Sequence, residues 1–270
     1  MIDLHKCKSQ LLATAERLRN SMSMPIPLGP ICRELGVVSV RRSQIQSAPA
    51  FLVDADSKPK ILLNASAPGA GTGQQAFTSW ERFAVAHELG HLVLYRAKGP
   101  IPAGPSEYWQ VEALCDAFAR RLLVSDSEVR AAGKDAGDTP TQRLQLSSRM
   151  AVKARIPWSA AAQRVGEIVG DCAFFRIERA RENFKVVTST LPKKKAVGQK
   201  IKPGSQLHAR LCDVTQTRVP VEIDSSLLSE LSGVEGAKNG VARLVSGSIR
   251  LALAIERPTE LTHDTMGLAG

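Results

Sequence analysis

Five consecutive residues, His87-Glu88-Leu89-Gly90-His91, have the form HExxH. Residues four apart lie on one face of an α-helix, so His87 and His91 can direct both imidazoles at one metal ion. Glu88 lies near that face, where it can take a proton from a water molecule that the metal activates. The pattern predicts metal-assisted hydrolysis, with zinc as the metal and Glu88 as the general base. The alternative is a pair of core histidines without a metal.

The flanking sequence predicts a helix that carries this motif. Thr78-Ser79-Trp80-Glu81 has the form of a capping box, which places the start of a helix at Thr78. Apolar residues recur at spacings of three and four together with both histidines, so we expect the histidines on the buried face. Gly99-Pro100 should end the helix. Because two buried histidines beside a buried glutamate are costly without a metal, this context favours the metal site.

A catalytic zinc ion normally takes three protein ligands and leaves one position for water. A second helix is predicted over residues 106–124, with Ser106 as its N-cap and three candidate carboxylates. Glu107 lies in the first turn, where the helix dipole already explains an acidic residue. Glu112 and Asp116 are four apart, so both can face the first helix; the longer glutamate can reach the metal, and the aspartate can accept a ring N–H of a ligating histidine. We therefore favour Glu112 as the third ligand and Asp116 as its support, with the reverse assignment left open.

The segment before the motif predicts helices and a small sheet, with helices over 3–20 and 27–36 and strands over 37–40, 51–53 and 61–63. An exposed edge strand beside a metal site can hold an extended peptide by backbone pairing. Ile61–Asn64 is the candidate for such an edge, and an ordinary interior strand is the alternative.

Residues 139–170 predict two helices joined by a turn at 155–158, with Ser159 as the cap of the second. The predicted hairpin contains five basic residues: Arg143, Arg149, Lys153, Arg155 and Arg164. One interpretation is a helix-turn-helix that contacts DNA. The favoured alternative is a hairpin that packs on the catalytic domain and presents a basic outer face.

The last hundred residues change to strand-like patterns, at 172–177, 184–188, 219–223 and 248–255. We therefore expect a C-terminal domain that is mixed α/β or mostly β. Lys193–Lys195 lie in a predicted loop that could contact phosphate, although a solvated loop is the commoner outcome. Residues 263–270 are predicted to be a frayed tail.

Charge, hydropathy and cysteine content limit the classes of protein to which this chain can belong. The chain has 270 residues and a net charge of +10, which favours an acidic partner such as nucleic acid as much as an ordinary basic surface. There is no apolar run of about 18 residues that could span a membrane, and no signal-peptide pattern. Five scattered cysteines without a CxxC pair indicate a reduced, cytoplasmic protein. Cys115 is a candidate redox-sensitive group near the metal, or else a small buried residue.

Two segments resemble the ImmA/IrrE family of metallo-endopeptidases. They are Arg82–His91, and the second helix with Glu112, Asp116, Phe118-Ala119 and Leu122-Leu123. The resemblance implies a zincin-like domain, a helical extension and, in some members, a C-terminal sensor-like domain. It also implies proteolysis of a DNA-binding repressor, which releases stress-response or mobile-element genes.

The expected fold is therefore α+β, with a zincin-like metallopeptidase domain over 1–125, a helix-turn-helix-like extension over 126–170 and a β-rich sensor or regulatory domain over 171–270. The expected function is that of a cytoplasmic, zinc-dependent, site-specific endopeptidase whose partner is a repressor substrate. We also expect a weak DNA contact through the helical extension. We expect no membrane association. The alternative is a DNA-binding transcription regulator with a structural metal site.

Overall fold

The structure, a computed structural model, describes residues 4–20, 22–45, 48–67, 69–72, 76–99, 104–170, 172–190, 196–228, 230–231, 237–245 and 248–255. The predicted lysine loop at 193–195 and the predicted tail at 263–270 lie outside these residues. The described chain is a mixed α+β protein that forms two compact units: Met1–Asp135 with Leu146–Arg164, and Ala136–Gln145 with Val165–Gly270. The helical segment thus contributes to both units, and the three-part division remains a prediction.

The first unit begins with two helices, α1 (Leu4–Arg19) and α2 (Leu28–Glu34), as the sequence predicts. Gly36 follows α2 with φ of +66°, the left-handed backbone that favours glycine after a helix end. The strand predicted over 37–40 begins at Ser39. The Val38 N–H, just before it, already bonds to the Pro59 carbonyl. The strands are β1 (Ser39–Ser43), β2 (Ala50–Val53) and β3 (Lys60–Asn64).

The order of these strands is β1-β3-β2, with β1 parallel and β2 antiparallel to β3. β3 is therefore the central strand, so that of the two interpretations of Ile61–Asn64 the interior strand is confirmed and the exposed edge is wrong. Ile61 and Leu63 are fully buried. The edge that matters for the site is β2, which within the described chain pairs with β3 alone.

Three helices follow: α3 (Ser79–Lys98), α4 (Pro105–Leu123) and α5 (Asp126–Lys134). The predicted capping box of α3 is confirmed, since the Thr78 hydroxyl accepts the Glu81 N–H and the Glu81 carboxylate accepts the Thr78 N–H. The prediction of Ser106 as the N-cap of α4 is wrong. Gly104 occupies that position, and Pro105 opens the helix, where its missing N–H costs nothing.

The predicted hairpin consists of α6 (Pro140–Ala154) and α7 (Trp158–Val169). Ser159 lies inside α7 rather than at its cap, because the helix already begins at Trp158. The Trp158 indole N–H donates to the Ser147 hydroxyl at 2.9 Å, which ties the two helices together beside the turn. No helix in the described part of the chain is long and apolar enough to cross a lipid bilayer.

The second unit is built on a six-stranded antiparallel sheet of order β6-β5-β4-β9-β8-β7. Its elements are β4 (Cys172–Ala180), β5 (Asn183–Ser189), β6 (Lys200–Ile201), α8 (Gln206–Thr217), β7 (Val221–Asp224), α9 (Ser225–Leu228), β8 (Ala237–Val245) and β9 (Ser248–Ile255). One face of the sheet packs with α8 and α9 into an apolar core that includes Phe175, Phe184, Leu211 and Leu251.

The β-rich character of this unit was predicted, whereas β8 and α8 were not. Lys238, Asn239 and Gly240 in β8 are residue types that strands disfavour, and pairing with β7 and β9 on both sides overrides that preference.

Candidate metal centre

The two motif histidines and Glu112 meet between α3 and α4. His87 Nε2 lies 3.1 Å from His91 Nε2 and 3.2 Å from Glu112 Oε2, and His91 Nε2 lies 3.3 Å from Glu112 Oε1. The three side chains are half-buried, and each offers one ligand atom to a common point. This group could therefore hold a metal ion, and α4 contributes the third member of the set.

Asp116 lies one turn further along α4 and contacts the other side of His87. Its Oδ1 atom is 3.0 Å from His87 Nδ1, whereas the ring atom that faces His91 and Glu112 is Nε2. In metal sites, a carboxylate with this contact supports a ligating histidine. Glu107, the third candidate, is outside the group of convergent ligand atoms found among the described residues.

Carboxyl groups contact both ring nitrogens of His87. Burial lowers the pKa of this imidazole, but its hydrogen bonds to Asp116 and then Glu112, together with the charges of Asp116 and Glu88, outweigh burial and raise the pKa to about 9. The same contacts with His87 and His91 hold the pKa of Glu112 down, to about 2. Glu112 therefore stays ionised near neutral pH, and its carboxylate oxygens are available as metal ligands.

Glu88 lies in the same cleft but not in the ligand set. Its side chain is buried, and burial raises the pKa of its carboxyl above the ordinary value, while the charges of His91 and His87 pull that pKa down. A backbone hydrogen bond from Leu52 in β2 also lowers this pKa. Glu88 is therefore a buried carboxyl group of α3 that contacts the edge strand β2 at Leu52. Its proton affinity is above that of an exposed glutamate.

Close packing of α3 on α4 makes this convergence possible. A Cβ atom placed on Gly90 would lie 3.1 Å from Cys115 Cα and 3.2 Å from Phe118 Cδ1. Glycine at this position lets the backbones approach, so that a carboxylate on α4 reaches the histidines. Close packing of α3 on α4 therefore explains why the motif has glycine at position 90. The sequence analysis assigned no role to this glycine.

The start of α3 is anchored by a buried ion pair. Arg42 in β1 donates to both oxygens of Glu81, through Nε at 2.5 Å and Nη2 at 2.8 Å. Glu81 is completely buried and also accepts the backbone N–H groups of Thr78 and Gly71. The Arg42 hydrogen bond is the main reason that the pKa of Glu81 falls to about 2. This pair links the sheet, the loop before the helix and the helix that carries both histidines.

A cleft of about 790 Å³ opens over the site. Its walls are largely apolar, and its floor holds the histidines and the carboxylates Glu88, Glu112 and Asp116. Residues of β2 form one rim, and aromatic side chains of α3 and α4 form much of the remainder: Phe51, Leu52, Trp80, Phe83, Tyr95 and Tyr108. Sequence reasoning did not identify these residues, because their periodicity reads as ordinary core packing.

Cys115 does not fit the redox hypothesis. The thiol is fully buried, and burial, reinforced by the charges of Glu112, Glu88 and Asp116, raises its pKa well above the ordinary range. Reactive cysteines are accessible thiolates, so the structure favours the small buried residue. All five cysteines are free thiols.

The basic residues of the hairpin do not form one exposed surface. Arg143 is buried and pairs with Asp138, and Arg164 is buried and pairs with Asp126. Arg149, Lys153 and Arg155 remain exposed. The predicted basic face is therefore reduced to three side chains.

The chain matches no protein-family model and no curated protein.

Proposed function

We propose that this protein is a zinc-dependent endopeptidase. The observation that carries the proposal is the convergence of His87, His91 and Glu112 at the floor of a cleft that also contains the separate carboxyl group of Glu88. Two imidazoles and one carboxylate, with a fourth position open, are the ligand set of one class of hydrolytic zinc site.

The distances between these side chains suit zinc. In a tetrahedral site with metal–ligand bonds of about 2.0–2.1 Å, ligand atoms lie about 3.3 Å apart. The two Nε2 atoms are 3.1 Å apart, and they lie 3.2 and 3.3 Å from the Oε2 and Oε1 atoms of Glu112, respectively. A zinc ion held there would lower the pKa of water towards neutrality and polarise a carbonyl oxygen. A structural zinc site normally has four protein ligands, so three convergent ligands favour a catalytic site.

Two residues of the chain, Glu88 and Asp116, would then have separate roles in hydrolysis. Glu88 accepts a proton from the attacking water and passes it to the leaving amine, a role suited to a shielded carboxyl whose pKa is raised by burial. Asp116, whose Oδ1 lies 3.0 Å from His87 Nδ1, would accept the Nδ1–H of this ring and so leave Nε2 free to act as a metal ligand.

The edge strand and the cleft suggest a peptide as the substrate. β2 lies at the edge of its sheet, and Ala50, Phe51 and Leu52 line the cleft above the histidines. An extended peptide that pairs with such an edge would pass over the site with alternate side chains facing the apolar walls.

The biological substrate is inferred from the resemblance to the ImmA/IrrE metallo-endopeptidases. On this proposal the first unit is zincin-like, and it cleaves a DNA-binding repressor in the cytoplasm and thereby releases stress-response or mobile-element genes. The second unit would then be the sensor or regulatory part.

Co-expression with repressors encoded by neighbouring genes tests this function. Wild type should produce discrete repressor fragments, whereas Glu88→Gln should produce none and still bind one zinc ion per chain. General base catalysis of this kind contributes about 10²–10⁴-fold, so the loss should be plain on a gel. Glu107→Gln, which changes a carboxylate of α4 outside the cluster, is the control and should cleave normally. Cleavage by zinc-loaded Glu88→Gln would remove the general base from the proposal.

The second candidate is a DNA-binding regulator with a structural metal. It is supported by the net charge of +10 and by exposed Arg149, Lys153 and Arg155 on the hairpin. DNA affinity that falls steeply with salt but does not change with a chelator would favour this candidate. The three-ligand site and the burial of Arg143 and Arg164 favour the peptidase.

A further inference from the structure

The ionisable residues that line the cleft are two histidines and three carboxylates. His87 and His91 lie there together with Glu88, Glu112 and Asp116. No lysine or arginine of the described chain contributes to this lining, although the protein as a whole has a net charge of +10. An acidic side chain brought into the cleft would therefore meet up to three like charges and no lysine or arginine that could pair with it. A zinc ion would add two positive charges against those carboxylates, which is no surplus for a further anion.

Two aromatic side chains of the cleft remain open to solvent. Phe51 on β2 is 41% exposed and Tyr108 on α4 is 46% exposed, and both line the cleft. A single exposed apolar side chain is ordinary, but apolar surface around a concave site marks a place where another molecule binds. These two residues, on different walls of the cleft, are therefore the candidates for contact with a bound side chain.

The apolar surface continues from Tyr108 out of the cleft. Trp109, the next residue of α4, is 70% exposed, and its ring centroid lies 5.2 Å from that of Tyr108 in an edge-to-face arrangement. Tryptophan and tyrosine are among the residues that most often dominate the affinity of protein interfaces. Trp109 would thus add a second apolar contact for a bound chain that is longer than the cleft.

The open side of β2 determines the shape of the ligand. Within the described chain β2 pairs with β3 alone, so its other edge can pair with an extended chain. Backbone pairing is the same for every sequence, whereas alternate side chains of the bound chain point to one side and meet the walls. Selection among sequences must therefore come from the walls, which are largely apolar.

We propose that the cleft selects an extended peptide segment with a large apolar side chain at its centre and no acidic residue beside it. This inference rests on the peptidase activity proposed above and adds its substrate preference, with Phe51, Tyr108 and Trp109 as the residues that determine it. Burial of one large apolar side chain is worth roughly 10- to 100-fold in affinity. An acidic side chain would lose its hydration at the same walls without a cationic side chain to pair with, so it is rejected.

Cleavage of a random peptide library by the zinc-loaded full chain measures this preference. Peptides of about ten residues are long enough to cross the cleft as an extended strand, and mass spectrometry identifies the residues on both sides of each cut. Large apolar residues should be enriched, and aspartate and glutamate depleted, by roughly tenfold or more. Cleavage without this preference, or with acidic residues enriched, would overturn the inference and leave the peptidase standing.

Arginine substitutions test whether the walls make the selection. Phe51→Arg adds a positive charge and removes an apolar contact, so the preference for apolar over acidic residues should fall roughly tenfold. Val38→Arg is the control, because Val38 is also an exposed apolar residue, at 57%, but lies outside the lining of the cleft. Its preference should change less than about twofold. Tyr108→Arg repeats the test from α4 if Phe51→Arg does not fold, and an unchanged preference in the folded cleft variants would overturn the inference.

A binding measurement separates this inference from the proposed activity. Zinc-loaded Glu88→Gln is immobilised and mixed with the same library, and the retained peptides are identified. Retention of apolar peptides, without any cleavage by wild type, would sustain the preference of the cleft and reject the peptidase. Adding Trp109→Ala to this variant should weaken retention roughly tenfold. Retention that is independent of apolar and acidic content would overturn the inference whatever wild type cleaves.

Discussion

The Nδ1 atom of His87 lies 3.0 Å from the Oδ1 atom of Asp116, across the interface between α3 and α4. This contact fixes which ring nitrogen faces the cleft, because Nδ1 is directed at the carboxylate and Nε2 therefore points towards His91 and Glu112. The consequence is a graded arrangement on α4: Glu112 faces the point where both Nε2 atoms meet, and Asp116 faces away from it.

Substitution of the two carboxylates should therefore have unequal effects on zinc binding. Glu112→Ala removes one of three convergent ligands and should abolish most of the affinity. Asp116→Ala removes only the support of a ligand and should cost about 10–100-fold. Calorimetric zinc titration of both variants measures the difference, with Glu107→Ala as the control. A larger loss in Asp116→Ala would reverse the two assignments.

Gly90→Ala should weaken both the fold and the metal site. The added methyl group would meet the backbone of Cys115 at 3.1 Å, so α4 must move outward and carry Glu112 with it. Overpacking of this kind costs roughly 1–3 kcal/mol, and the higher helix propensity of alanine offsets up to about 1 kcal/mol of that loss. Denaturant unfolding measures the loss, and zinc titration should show weaker binding.

Gly29→Ala is the matched control, since Gly29 is an exposed glycine in helix α2. A Cβ atom there meets its nearest neighbour at an ordinary 3.6 Å. This variant should be neutral or slightly more stable, because alanine favours a helix over glycine. Unchanged stability and zinc affinity in Gly90→Ala would show that the helix spacing is not set by this glycine.

Glu81→Gln should be strongly destabilising. The substitution leaves the Arg42 guanidinium largely buried without its carboxylate, and removal of one partner from such a pair costs about 3–5 kcal/mol. Glu34→Gln provides the comparison, because the Arg17–Glu34 pair has a similar length but is exposed, and its loss should cost less than about 1 kcal/mol. Similar losses in the two variants would contradict a special role for the buried pair.

The same pair gives a pH dependence with a defined sign. The pKa of Glu81 falls on folding, from an ordinary value of 4.5 to about 2, mainly through the Arg42 hydrogen bond. The stabilisation is therefore complete above pH 4.5 and is lost as the pH falls from there towards 2. Unfolding free energies of wild type and Glu81→Gln should converge over this range, and a constant difference would exclude the linkage.

Cys115 should be protected from thiol reagents in the folded protein. It is fully buried with a raised pKa, whereas Cys212 is partly exposed. Brief treatment with iodoacetamide, followed by mass spectrometry of peptides, should find Cys212 modified before Cys115, and both modified after unfolding. Rapid modification of Cys115 in the native protein would restore the redox hypothesis.

Much of the site's local structure could be predicted from short stretches of sequence. The capping box at Thr78–Glu81, the helix through the histidines and the break at Gly99 all depend on contacts between residues three or four apart. The sequence also limited the third ligand to a few carboxylates on the next helix. It did not reveal the aromatic rim of the cleft, since apolar residues that line a cavity have the same periodicity as those that fill a core.

Strand order and cross-strand register were decided by the tertiary structure. The pattern of Ile61–Asn64 fits a central strand as well as an edge, and only pairing with β1 and β2 shows which it is. Arg176, Arg250 and Arg243 are aligned across β4, β9 and β8, and this alignment depends on the register of all three strands.

The sequence by itself determined the chemistry available to this protein, because HExxH fixes two imidazoles and a carboxylate on one turn of a helix through backbone geometry alone. Only the tertiary structure decided that Glu112 meets the imidazoles and Asp116 supports one of them. Both carboxylates satisfy the same helical spacing, and the choice between them depends on how far α4 slides and turns against α3. That position is set by contacts such as the one between Gly90 and Cys115, which join residues 25 apart in the chain.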